Sequence, residues 1–289
     1  MIDRKRVSVA AGAALGLVLA AVAPARAADP ATGPTYGAPA TPEIVDEGGL
    51  PFGIVAGGYA FVTPVYEGSD EYTVTAFPLV YPKFYGDGPG LGDRLTLRGL
   101  DDVRFALFKQ GGFEFGPVGG YTFGRQEDEA ALLDGLGDVD DGLILGAYAG
   151  YGIEPFFFDV AYSRQVTGED DAGYQIDMTG GAETALSEQL ALTTSVTAAF
   201  ASDDYLDTYF GVTPGQSASS GLDAYDPDGG FKSVGVDLAL EYQFTERAAL
   251  RTSVGYSRLL GDAADSPVTA SSDQFRGGFG FTYSFGRVE

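Results

Sequence analysis

The chain has 289 residues, 43 of them glycine, a formal charge of −24, and neither histidine, cysteine nor tryptophan. Without imidazole or thiol there is no Ser-His-Asp or Cys-His hydrolase, no histidine- or thiolate-bound zinc and no disulfide. The acidic excess opposes binding to nucleic acid, so no nucleic-acid partner is expected.

Arg4, Lys5 and Arg6 precede an apolar run from Val7 to Ala23, then Pro24 and Ala25-Arg26-Ala27. This is the layout of a secretory signal peptide over 1–27, cut after Ala27. Its removal moves the formal charge to −27 and implies export. Residues 28–51 are rich in Pro, Ala, Gly and Thr without periodicity, which predicts a flexible leader.

From Phe52 onward the dominant signal is strict alternation. In 234–244, Val234, Val236, Leu238, Leu240, Tyr242 and Phe244 share one face, opposite Gly235, Asp237, Ala239, Glu241 and Gln243. The same holds from Gln274 to Phe285, and around Tyr174, Ile176 and Met178. Twelve strands are predicted, at 53–63, 73–85, 93–99, 102–109, 112–124, 142–152, 156–166, 174–186, 190–201, 233–244, 248–258 and 274–285. Many are longer than the strands of a soluble sandwich, which run to about 5 or 6 residues. Their length, one apolar face and one polar or small-residue face predict an all-β fold, an antiparallel transmembrane barrel over 52–289. About twelve strands are expected, within a range of ten to fourteen; an even count returns both termini to the periplasm.

The connections alternate as such a barrel requires. Short links fall near Gly152 to Pro155, Ser187 to Gln189 and Thr245 to Arg247; longer ones span 125–141, 167–173, 202–232 and 259–273. Strands three and four are the exception, because the link at 86–92 is longer than that at 99–102. The six expected outer loops hold 24 of the 40 carboxylates left after signal removal, against two cations, Arg125 and Lys232. An acidic rim beside lipopolysaccharide needs divalent cations or distance to offset repulsion.

Asp203, Asp204 and Asp207, and the run from Gly137 through Asp138, Asp140 and Asp141, lack calcium-loop spacing. Acidic pairs are too common here to mark a hydrolase. No catalytic, metal or cofactor residue is therefore expected, and the chain is read as non-enzymatic. The lumen candidates are Glu114, Asp159, Asp177, Glu183, Asp237 and Glu241, with Arg104, Arg251 and Arg276 as basic partners. They fit either a narrow cation-preferring pore or a packed, salt-bridged interior. Aromatics in the loops fit either packing over the barrel mouth or anchoring of a protein partner.

Five ordered motifs resemble the MipA/OmpV family of Gram-negative outer-membrane proteins. These are TPVYEGSDEY (with Tyr66, Glu67, Gly68, Ser69 and Asp70), GLGDVDDG, SDDYLDTYFGVTP (with Tyr205, Tyr209 and Phe210), SGLDAYDPDGGFKSVG, and YSRLLGDAADSPV (with Asp262, Asp265, Ser266 and Pro267). The resemblance runs from Phe52 to Phe285. It implies an outer-membrane barrel, in contact with lipid and lipopolysaccharide, that acts as a scaffold joining a murein polymerase to a lytic transglycosylase. Porin-like and adhesin roles are the alternatives within the family. Barrels of this kind commonly end on an aromatic residue, whereas here Phe285 is followed by Gly286, Arg287, Val288 and Glu289.

Overall fold

The structure is a computed structural model that describes residues 52–84, 94–169 and 172–285. The expected signal, the leader, the link at 86–92 and the tail after Phe285 lie outside the described residues.

Thirteen strands make one antiparallel sheet. They are β1 (Phe52–Pro64), β2 (Tyr72–Phe84), β3 (Leu95–Leu97), β4 (Val103–Phe105), β5 (Phe108–Gln110), β6 (Phe113–Thr122), β7 (Gly142–Ile153), β8 (Phe156–Gln165), β9 (Gln175–Ser187), β10 (Leu190–Ala201), β11 (Gly230–Thr245), β12 (Ala248–Leu259) and β13 (Asp273–Phe285). The first strand pairs with the last, Ile54 opposite Phe285, so the sheet wraps into a barrel whose path ends on the consecutive strands β2 and β3. β4 and β5 both pair with β6 and share one place in the wall, giving twelve positions.

The predicted fourth strand is therefore two pieces, and a register slip is the reason. Val103 faces Gly119, but Phe108 faces Phe115, one residue out of step. Leu107 and Phe108 are both exposed, so the alternation breaks there, as at a β-bulge. The third strand is shorter than expected but pairs antiparallel with β4 from Leu95 to Leu97. The link at 99–102, expected as an outer loop, stays against the wall, where the Tyr121 N–H donates to the Leu100 carbonyl.

Alternation decides which side chains face out. Val234, Val236, Leu238, Leu240, Tyr242 and Phe244 on β11, and Phe275, Phe279, Phe281 and Phe285 on β13, are all exposed on the outer wall, where lipid rather than water would meet them. The inner wall differs from the expected polar or small lining, because Tyr59, Phe77, Tyr81, Tyr148 and Phe157 share the inward parity of their strands and are buried or half-buried. Glycines opposite them make the room. The Tyr59 hydroxyl lies where a Cβ on Gly278 would stand, its ring where one on Gly280 would, and the Phe157 ring does the same at Gly181. Rings laid over glycine on neighbouring strands line the inner wall and restore contact that the glycines alone would lose.

Among the described residues, one end of the barrel carries two-residue turns, at 111–112, 154–155, 188–189 and 246–247, and the other carries the long loops. Both termini of the described sheet lie at the turn end.

Candidate functional site

The loop end is closed by a cap with its own small cores. Its largest part follows β10, where the long outer loop expected at 202–232 holds helix α1, Asp203–Phe210, followed by α2, Pro214–Ser220. The Ser202 side chain accepts from the Tyr205 N–H, and Asp203 and Asp204 sit in the first turn, where the helix dipole favours negative charge. Thr213 and Gln216 form a reciprocal capping box on α2, which Pro214 begins and Gly221 ends at φ 79°.

Leu206 and Phe210, four apart on α1, are buried against Ala201, Leu259 and Ala263, the last of these in the short helix α3, Gly261–Asp265. A second buried cluster joins Tyr66, Leu133, Leu136, Val212 and Val268 from four different loops. Polar contacts tie the pieces together. The Ser266 hydroxyl donates to the Phe210 carbonyl at 2.6 Å, the Tyr66 hydroxyl to the Val268 carbonyl at 3.1 Å, and the Gly68 N–H to Gln274 Oε1 at 3.3 Å. Burial pushes the Tyr66 phenol up to about 12 and raises Tyr205 and Tyr209 as well.

Both cations of the acidic loops turn inward. Arg125 is 3% exposed and donates to the Tyr209 carbonyl at 2.7 Å, at the C-terminal end of α1 where positive charge is favoured; burial lowers its affinity for the proton. Lys232, 4% exposed, donates to Glu67 Oε2 (2.9 Å), Gln175 Oε1 (2.6 Å) and the Tyr205 hydroxyl (3.1 Å), and lies 4.5 Å from the centre of the Tyr205 ring. One ammonium thus joins the first loop, α1, β9 and β11.

Below the cap the inner wall carries a second charged group. Arg98 and Arg104 both reach Asp159 on β8, at 3.1 and 2.8 Å, and Arg104 also holds Asp102 at 2.6 Å while its guanidinium lies 4.9 Å from the Tyr148 ring centre. Between this group and α1 lies a cavity of about 480 Å³, roofed by Tyr205 and Tyr209, whose ring centres are 4.6 Å apart.

The predicted lumen residues fall as follows. Arg104 meets Asp159 directly. Asp237 pairs with Arg276 at 2.7 Å, Glu241 with Arg251 at 3.9 Å and Glu114 with Lys109 at 3.8 Å. Asp177 accepts only the Gln175 amide, and Glu183 makes no ion pair among the described residues. Of the loop residues, Tyr66, Glu67, Gly68, Tyr205, Tyr209, Phe210 and Ser266 come together in the cap. Ser69 accepts from the Glu71 N–H, Asp138 from the Glu127 N–H and Asp262 from the Asp228 N–H. The Gly137 and Asp140 N–H groups donate to Glu127 and Glu169, and Pro267 is half-buried. Asp70, Asp141, Asp203, Asp204, Asp207 and Asp265 are exposed. Sequence reasoning missed Lys232, Arg125, Gln175 and Arg98 as anchors; the signal for the first two was their isolation among carboxylates.

An apolar outer wall, wrapped antiparallel strands of up to 16 residues and long loops at one end define a transmembrane β-barrel of the outer-membrane type. The chain belongs to the family described as MltA-interacting protein MipA, which matches residues 56–285. YiaT of Escherichia coli (strain K12), whose name places it in the outer membrane, is 28% identical over 97 residues, and the match covers 34% of this chain and 39% of that protein. The same values hold for YiaT of Escherichia coli O157:H7. Among solved structures, the NanC porin is 10% identical with a TM-score of 0.39, covering 80% of this chain and 98% of its own. OmpT, an outer membrane protein of Vibrio cholerae, is 10% identical with a TM-score of 0.37, covering 81% and 96%.

Proposed function

We propose that this protein is a non-enzymatic scaffold of the outer membrane, with its loop end outside, its turn end and both termini in the periplasm, and its partners among the enzymes that cut and build murein. The observation that carries this reading is the closure of the barrel. The loops pack over one end of the barrel around two apolar clusters and aromatic rings line the inner wall, which favours the turn end as the face for work at the cell wall. The family description supplies the partner class, since it names interaction with MltA. Partner contacts then fall to the leader at 28–51 and to the turns at Glu154–Pro155, Ser187–Gln189 and Thr245–Arg247.

Detergent-solubilised full-length protein, immobilised through an added tag, should retain a purified lytic transglycosylase. Deleting 28–51, or inserting a short polar segment into the three turns, should release it, while deleting 203–229 from the cap should not. Absence of capture by the intact chain, or loss through the cap deletion alone, overturns the proposal.

A further inference from the structure

The outer wall is uncharged along most of its height, and its exceptions gather at the loop end. Of the charged residues in the described strands, Arg164, Arg258 and Asp273 are the ones with the parity of the exposed apolar positions, and each stands at or one residue from the loop end of its strand. Arg258 is neutralised by Asp273 at 2.7 Å, and Asp273 also accepts from the Tyr256 hydroxyl at 2.7 Å. Arg164 has no ion pair or hydrogen bond among the described residues. It borders the cavity under the cap, but on β8 it follows Phe156, Phe158 and Tyr162, all exposed, and stands opposite the exposed Leu145 of β7, whereas Phe157, Asp159 and Gln165 on the other face are buried.

The level of this arginine is fixed by a second feature. Tyr72, Tyr121, Tyr162 and Tyr174 are exposed at or beside the loop ends of β2, β6, β8 and β9, and rings so placed mark the height of the lipid headgroups on a barrel wall. Tyr162 and Tyr174 have ring centres 5.5 Å apart, and Arg164 lies two residues beyond Tyr162 toward the loops, about 7 Å further along the strand. Leu143, Leu145 and Val166, all exposed, flank it, so an unpaired charge there meets lipid as well as water and is costly. The anions that reach this height from the membrane are lipid phosphates, which a guanidinium takes through two parallel N–H bonds.

We infer that Arg164, with Tyr162 and Tyr174, is a binding site for the phosphate of a phosphorylated glycolipid of the outer leaflet. The guanidinium pairs with one phosphate, the two rings lie beneath the sugar that carries it, and the acyl chains run down the wall over Ala147 and Phe158, both exposed. This attractive point offsets the repulsion between the acidic loops and the phosphates of that leaflet. The site uses only the loop-outside orientation of the scaffold reading and stands whether or not the turn end recruits murein enzymes.

Native mass spectrometry of the detergent-solubilised full chain tests this, with diphosphoryl lipid A as probe and its fully dephosphorylated form as the neutral counterpart. The parent should retain lipid A and should not retain the dephosphorylated form. R164Q should bind lipid A at least about tenfold more weakly, while R258Q, which removes the same charge from the same rim, should bind as the parent does. R164K keeps the charge without the fork and should fall between the parent and R164Q. An excess of inorganic phosphate or of phosphatidylglycerol should leave the bound lipid A in place, which separates an outer-leaflet glycolipid from free phosphate and from a phospholipid. Heat-modifiable migration identifies folded variants; if R164Q does not fold, R164K carries the expectation of weaker binding. No retention of lipid A by the parent, equal retention of its two forms, equal binding by the parent and R164Q, equal loss in R164Q and R258Q, or displacement by phosphate or phosphatidylglycerol overturns the inference.

Discussion

Lys232 and Arg125 are the two cations in loops that otherwise carry carboxylates, and both are buried. A buried ammonium keeps its charge only with partners, and Lys232 has three oxygen partners from three segments. Replacing it by methionine keeps the stem and removes all three bonds, stranding Gln175 while leaving Glu67 in contact with solvent. K232M should lose about 1–3 kcal/mol, read as the urea midpoint in detergent micelles. R258A should leave that midpoint unchanged, because the Arg258–Asp273 pair is 53% and 46% exposed and screened by solvent. At Gly280 the Tyr59 ring occupies the space of a side chain, so G280V should cost about 1–3 kcal/mol. Combining it with Y59A should recover part of that loss; strict additivity of the two costs would show that ring and glycine are not in contact.

The cap shows how far local signals reach. Ser202, then Asp203 and Asp204, then the pairs Tyr205 with Tyr209 and Leu206 with Phe210, are the start signal and the apolar stripe of a short helix, all present in the sequence. They were obscured because the surrounding period was two and the segment spans eight residues, too short to be stable without the walls it packs on. The long strands were legible to within three residues because lipid-facing and inward-facing positions differ so strongly. β4 and β5 were not, because a one-residue slip erases the period that reading depends on. Inward aromatics escaped notice for a related reason: a ring over a neighbouring strand's glycine is a cross-strand relation that no single segment displays. S202A should cost about 1 kcal/mol of cap stability, seen as faster proteolysis within 203–229. Tyr66 gives the cap an alkaline limit. Its phenol ionises near 10 in the unfolded chain and is held up to about 12 by burial, so the neutral ring stabilises the cap fully below pH 10. That contribution, about 2–3 kcal/mol, is lost as pH rises through 12. Protease sensitivity of the loops should therefore increase between pH 10 and 12, with a smaller change in Y66F; an identical profile in Y66F would assign the transition to Tyr205 or Tyr209.

At the scale of the whole barrel, twelve wall positions stand between the small barrels that side chains fill and the sixteen-strand barrels that hold water. Width alone leaves both outcomes open, and in this protein the contents decide. The loops pack over one end around two apolar clusters, Arg98 and Arg104 pair with Asp159 on the inner wall, and Tyr59, Phe77 and Phe157 face inward. An ion crossing this interior would have to displace paired charges and shed its water against aromatic rings, both of which are costly. The purified protein in a planar bilayer should therefore give few or no conductance steps. Removing 203–229 unroofs the cavity but leaves the Arg98 and Arg104 pairs and the ring layer in place, so it should raise conductance only slightly. Adding R98A and Y59A to that deletion removes one obstacle from each lower layer and should open steps that favour cations, because Asp101, Asp159 and Asp177 then face the path without full compensation. Large, stable steps in the unmodified protein would show that the cap and ring layer move together, and would return the channel reading to first place.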